Sequence, residues 1–126
     1  MAGFDHERLE VYHLAMRFAD AAERIAATIL PERRPLADQL TRAAASIPLN
    51  IAEGAAESRR AEKARFYRIA RRSAAECAAI IELIAVTPST RRPGRPQSAS
   101  LDQAEHLLVR ISAILAALIR TFSRPA

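Results

Sequence analysis

Three groupings of side chains have types and spacings that could do chemistry, each of a different kind. Glu10-Val-Tyr-His13 sets a carboxylate and an imidazole one helical turn apart, the spacing used in carboxylate-bridged metal sites of helix bundles. Such a site draws a Glu-x-x-His from each of two helices and a Glu from two more. This pair stands alone, and both residues fall away from the apolar stripe of their helix. No metal or other cofactor is expected, since His6 and His106 lack ligand-spaced companions and the scattered glycines form no phosphate-cradling loop. Cys77 lies on an apolar stripe, where a thiol is ordinarily a small core residue rather than a nucleophile.

The second grouping is Gln39, Arg42, Ser46, Asn50 and Glu53, which steps by three or four and so stacks on one helix face beside an apolar line. A seam of this kind either forms a hydrogen-bonded network that fixes helix register around Pro48 or offers a ligand or partner site. Arg42 is expected to pair with Glu53 or Glu76, within or between subunits, because a charge beside a core needs a partner. The third grouping is RRAEKARFYRIARR, where Arg59, Arg60, Lys63, Arg65, Arg68, Arg71 and Arg72 meet one acid, Glu62. Arg65, Arg68, Arg71 and Arg72 cluster opposite the Phe66, Ala70 and Cys77 face. They offer donors suited to phosphate oxygens, or else form a solvated helix face.

The elements that position these residues follow from heptad spacing. Val11, Ala15, Phe18, Ala22, Ile25 and Ile29 predict a first helix over about 5–30, with Asp5 as N-cap and Pro31 as its stop. Leu36, Leu40, Ala43, Ile47 and Ile51 predict a second over 35–53, started by Pro35, kinked at Pro48 and closed by Gly54 in a left-handed C-terminal position. Phe66, Ala70, Ser73, Cys77, Ile80 and Ile84 predict a third over 59–86, capped by Ser58. Residues 87–99 hold several prolines, one glycine and Arg91, Arg92 and Arg95, and read as an exposed, mobile loop. Ser100 with Gln103 forms a capping box for a fourth helix over 100–121, whose line is Ala104, Leu108, Ile111, Leu115, Leu118 and Phe122.

Seven-residue spacing in all four segments selects the narrow crossing angles of a bundle, and short connections make neighbours antiparallel. Leu14, Tyr67, Ile81, Leu83, Leu107, Ile114 and Ile119 lie outside the four stripes. Either a second subunit covers them or the core stripes are wide enough to absorb them. Aromatic residues are 5% of the chain and Trp is absent, which favours closely packed helices over a β-sandwich. Nineteen Lys and Arg against fourteen Asp and Glu give a formal charge of +5, suited to nucleic acid or acidic partners. Neither a long uncharged apolar run nor a basic N-terminal region followed by an apolar stretch is present, so no membrane span or signal peptide is expected. A cytoplasmic location follows as the expectation, and the single cysteine agrees with it.

QLTRAAASIPLNIAEG, residues 39–54, closely resembles the signature of the four-helix bundle proteins first met in intervening sequences of 23S ribosomal RNA genes. FDHERLEVYHLAMRFA resembles that family's first helix, and FYRIARRSAAE, residues 66–76, its third-helix motif. The family's motif residues here are Gln39, Arg42, Ser46, Pro48, Asn50, Glu53, Gly54, Ser73 and Glu76. The resemblance implies a small bacterial protein, a tendency toward ring-like homopentamers and no known catalytic activity. The bundle is also similar to the accessory protein of diversity-generating retroelements, a pentameric barrel that binds nucleic acid and its reverse transcriptase. That similarity implies RNA or DNA, and a reverse transcriptase or other protein, as partners. The Pro/Arg-rich loop departs from the family's plainer connection.

Residues 1–126 are thus expected to form one all-α domain, an antiparallel up-down four-helix bundle. The expected function is that of a non-enzymatic, oligomeric protein that binds RNA or DNA backbone without sequence specificity through the third helix. The alternative is a protein-binding adaptor.

Overall fold

The computed structural model describes residues 3–92 and 98–125. Helix α1 spans Glu10–Ala26, α2 Arg34–Ala56, α3 Arg60–Val86 and α4 Ser98–Ser123; short 3-10 turns cover Asp5–Arg8, Pro31–Arg33 and Pro88–Thr90. Each helix packs against its chain neighbours, and α1 closes the ring against α4. The protein is an all-α four-helix bundle. Gln39 reaches Glu76, Ser46 reaches Ser73 and Gly54 meets Tyr67, so sequence order along α2 is matched by reversed order along α3.

The heptad lines form the core, with Phe18, Leu40, Ile47, Ile51, Ile81, Ile84, Ile111 and Leu115 among its largest fully buried side chains. The buried stripes are wider than a strict heptad seam. Leu14, Tyr67 and Ile81 are all buried within the monomer, while Leu107, Ile114 and Ile119 are half-buried against the same core. Of the seven residues outside the expected stripes, Leu83 remains largely exposed. On α3 the buried aromatic is Tyr67, at 2% exposure, and Phe66, expected there, is half-buried.

The ends depart from the expected ones for local reasons. Asp5 does not cap a helix: it opens a 3-10 turn, and extended Leu9 separates that turn from α1. At the other end α1 stops at Ala26, and the Thr28 hydroxyl, donating to the Ile25 carbonyl at 2.7 Å, satisfies one of its last carbonyls. Pro35 stands in the first turn of α2, and α2 then runs as one helix through Pro48 to Ala56. Gly54 is therefore inside α2 rather than beyond its end. A Cβ placed there would lie 2.7 Å from Tyr67 Cε1, so the glycine is required by the close approach of α3. Arg59 rather than Ser58 precedes α3, with no side-chain cap. α4 begins two residues before Ser100, which lies within its first turn. The Ser100–Ser123 segment is long and apolar enough by composition to cross a membrane. Its Leu101, Ala104, Leu108, Ile111 and Leu115 line closes the bundle core.

The segment after α3 is ordered where a mobile loop was expected. Leu30 N–H donates to the Thr90 carbonyl at 2.8 Å, and Arg92 N–H to the Thr28 carbonyl at 2.9 Å. Ile29 and Arg91 form an antiparallel bridge between them, and Thr90 is buried. The remainder of the expected loop, including Arg95, falls on 93–97, outside the described residues.

Candidate nucleic-acid interface

The basic residues of α3 divide according to what holds them. Lys63 Nζ donates to the carbonyls of Gly54 and Ala55, both at 3.1 Å, and so caps the C-terminal end of α2, where cations are favoured. Arg60 donates to the Thr121 carbonyl at 2.5 Å, and its guanidinium stands 5.3 Å from the centre of the Phe122 ring. Arg68 donates to the Ser123 hydroxyl at 2.7 Å. These two bonds leave most of each guanidinium's donors available. Arg65 is forked onto Glu62 at 3.0 and 3.1 Å and lies 4.4 Å from the Phe66 ring centre. That fork holds the Glu62 carboxyl below its ordinary range and raises the Arg65 guanidinium further.

Arg59, Arg71 and Arg72 are exposed and have no hydrogen-bond or ion-pair partner among the described residues. Arg71 and Arg72 each stand about one turn after Arg68, opposite the buried Ala70, Ala74 and Cys77. The structure therefore divides the expected seven-residue face into the row of Arg68, Arg71 and Arg72, an exposed Arg59 at the start of the helix, an Arg60 held at the end of α4, a capping lysine and an internally matched Arg65.

The α2 seam faces α3. Ser73 Oγ donates to Ser46 Oγ at 2.8 Å, and Asn50 Nδ2 donates to Ser46 Oγ at 3.0 Å and to the Ser46 carbonyl at 2.8 Å. Gln39 Nε2 donates to Glu76 at 3.3 Å. Arg42 and Glu53 are exposed, and among the described residues Arg42 makes no ion pair within the chain, so its expected partner Glu76 is bonded to Gln39 instead. One helical step separates Arg42 from Gln39 and Ser46, placing it on the α2 edge that borders α3.

The other candidates are placed apart. His13 bonds the Glu7 carbonyl at 2.8 Å, and Glu10 lies 3.6 Å from Arg110. Cys77 is buried, and burial, reinforced by the Glu76 carboxylate, pushes its thiol up to about 12.

Residues 7–92 match the 23S rRNA-intervening sequence protein family. The chain belongs to that family. No curated protein matches it. As a 23S rRNA-intervening sequence protein, the chain carries its α2 seam, the basic α3 and the Thr90–Arg92 closure inside the matched segment, whereas α4 lies beyond it.

Proposed function

We propose that this chain is a non-enzymatic RNA-binding protein that holds phosphate backbone without reading sequence. The outward row of Arg68, Arg71 and Arg72, with Arg59 at the head of α3, carries the proposal. The row of Arg68, Arg71 and Arg72 is a set of forked donors without a matched carboxylate among the described residues, and Arg59 adds an exposed charge at the start of the helix. The family name points to RNA rather than DNA as the first nucleic acid to try. Self-association is part of the proposal: the separate exposed side chains Leu49 on α2, at 65%, and Leu83 on α3, at 42%, would gain cover from a neighbouring copy, and a ring of copies would multiply weak backbone contacts. Homopentamers are the form the family resemblance implies.

A protein-binding adaptor with solvated arginines is the competing function, favoured by the internal engagement of Lys63 and Arg65. Fluorescence anisotropy with labelled single-stranded and duplex RNA at low salt separates the two. The wild type should bind both, Arg71→Glu with Arg72→Glu should lose binding, and Arg65→Gln should bind nearly as the wild type. Absence of binding by the wild type, or full binding by the double variant, would leave the adaptor. Light scattering on the same samples reads the oligomer, and a monomer mass would remove the ring.

A further inference from the structure

On the side of the bundle away from the α2–α3 seam, α1 and α4 border a half-open groove of about 980 Å³. Its base is Ile25, buried in the core, flanked by half-buried Ala21 and Leu107. Arg17, Arg24 and Arg110 stand on its walls against one lining carboxylate among the described residues, Asp20, which pairs with Arg24 at 2.8 Å. Its α4 wall lies beyond the family match, so membership of the family does not assign this surface.

We infer that this groove receives an acidic amphipathic helix from a partner protein. The helical part of the wall, from Arg17 to the end of α1 at Ala26, is about two and a half turns, roughly 14 Å long at 1.5 Å per residue, which suits a short helix lying parallel to α1 and α4. Aliphatic side chains at steps of three and four would cover Ala21, Ile25 and Leu107, and flanking carboxylates would meet the arginines. Arg17, which pairs with no carboxylate among the described residues, and the surplus of arginine over carboxylate on the walls select an acidic occupant. The apolar floor of Ala21, Ile25 and Leu107 selects a protein over a nucleic acid. A continuous phosphate chain would meet Asp20 in passing, whereas a helix can space its carboxylates to avoid it. This surface is separate from the arginine row of α3, so the inference stands or falls independently of RNA binding.

The test is selection of binders from a display library of random helical peptides on the intact protein, followed by affinity measurement on the variants. The selected peptides should share acidic residues flanking an i, i+3, i+4, i+7 apolar stripe. Arg17→Glu should weaken them by about tenfold, as expected for a charge facing a charged partner, and Arg24→Glu, whose charge Asp20 already matches in part, by less. Ala21→Lys, which plugs the floor without removing positive charge, should weaken them as well. Arg71→Glu with Arg72→Glu should leave peptide binding unchanged, and circular dichroism on every variant shows whether the fold is kept. The inference is overturned if no peptide is selected, if the peptides lack that pattern, or if folded Arg17→Glu and Ala21→Lys variants bind as the wild type. It is equally overturned if an RNA oligonucleotide occupies the groove and those substitutions release it.

Discussion

Gly54 on α2 and Tyr67 on α3 occupy adjoining space so closely that a methyl group on the first would sit 2.7 Å from the ring of the second. Tyr67 cannot retreat freely, since Phe122 of α4 stands behind it at 6.0 Å between ring centres. Alanine in a helix interior normally gains about 1 kcal/mol over glycine. Here overpacking, about 1–3 kcal/mol, should outweigh that gain and lower the urea midpoint of Gly54→Ala. In a Tyr67→Leu background the sign should reverse, with Gly54→Ala raising the midpoint. A stabilising Gly54→Ala in the wild-type background would disprove the close contact.

The Ser46, Asn50 and Ser73 network predicts a non-additive pair. Ser46→Ala strands the nearly buried Ser73 hydroxyl and should cost about 1–3 kcal/mol, whereas Asn50 keeps its bond to the carbonyl of residue 46. Removing both hydroxyls leaves no orphan. Denaturant titration of the double alanine variant should therefore show a cost below the sum of the singles; strict additivity would mean the two serines do not interact.

Salt dependence should reveal how many arginines meet phosphate. If Arg59, Arg68, Arg71 and Arg72 each neutralise one phosphate on single-stranded RNA, log affinity should fall with log salt at a slope of about −3. Replacing Arg71 and Arg72 with Gln should make that slope shallower by roughly 1.5. Arg65→Gln should leave it nearly unchanged because Glu62 already matches that charge. An equal loss of slope at Arg65 would place the contact on the wrong arginines.

Alkaline stability should fall where Cys77 separates the two states. Its folded thiol keeps its proton up to about 12, against 9.0 ordinarily. Between those values the unfolded chain binds fewer protons than the folded one, so stability declines from pH 9.0 to about 12 and this contribution levels off above. Cys77→Ala should flatten part of that decline. The rest belongs in part to Tyr67, whose hydroxyl is also pushed up by burial. Identical pH profiles for wild type and variant would show that the thiol is not held protonated.

The four apolar lines were legible because a helix repeats its core face every three or four residues, and that period needs no knowledge of neighbours. Width was not legible: Leu14, Tyr67 and Ile81 look surplus to a heptad seam, yet they fall inside the broader stripe that a helix between two neighbours buries. Gly54 shows the same limit. A glycine near a helix end reads locally as a terminator, and only the arrival of Tyr67 from α3 gives its actual cause. Within the basic run, residue type could not tell Lys63, which caps α2, from Arg71, whose side chain has no partner among the described residues, because the carbonyls that Lys63 caps belong to another helix. The α1–α4 groove left no local signal, since Ala21 and Leu107 become neighbours only after the bundle closes.

The pairing of Thr28 and Leu30 with Thr90 and Arg92 also sets where α4 can go. Six residue steps separate Arg92 from Ser98, and a fully extended chain of that length reaches roughly 20 Å. The fourth helix is thereby leashed to the corner where α1 ends, and its own core sees it at an effective concentration in about the millimolar range. A second copy must match that concentration before it can capture the helix. Copies of this chain can therefore crowd together at micromolar levels with α4 retained by its own bundle rather than exchanged between them.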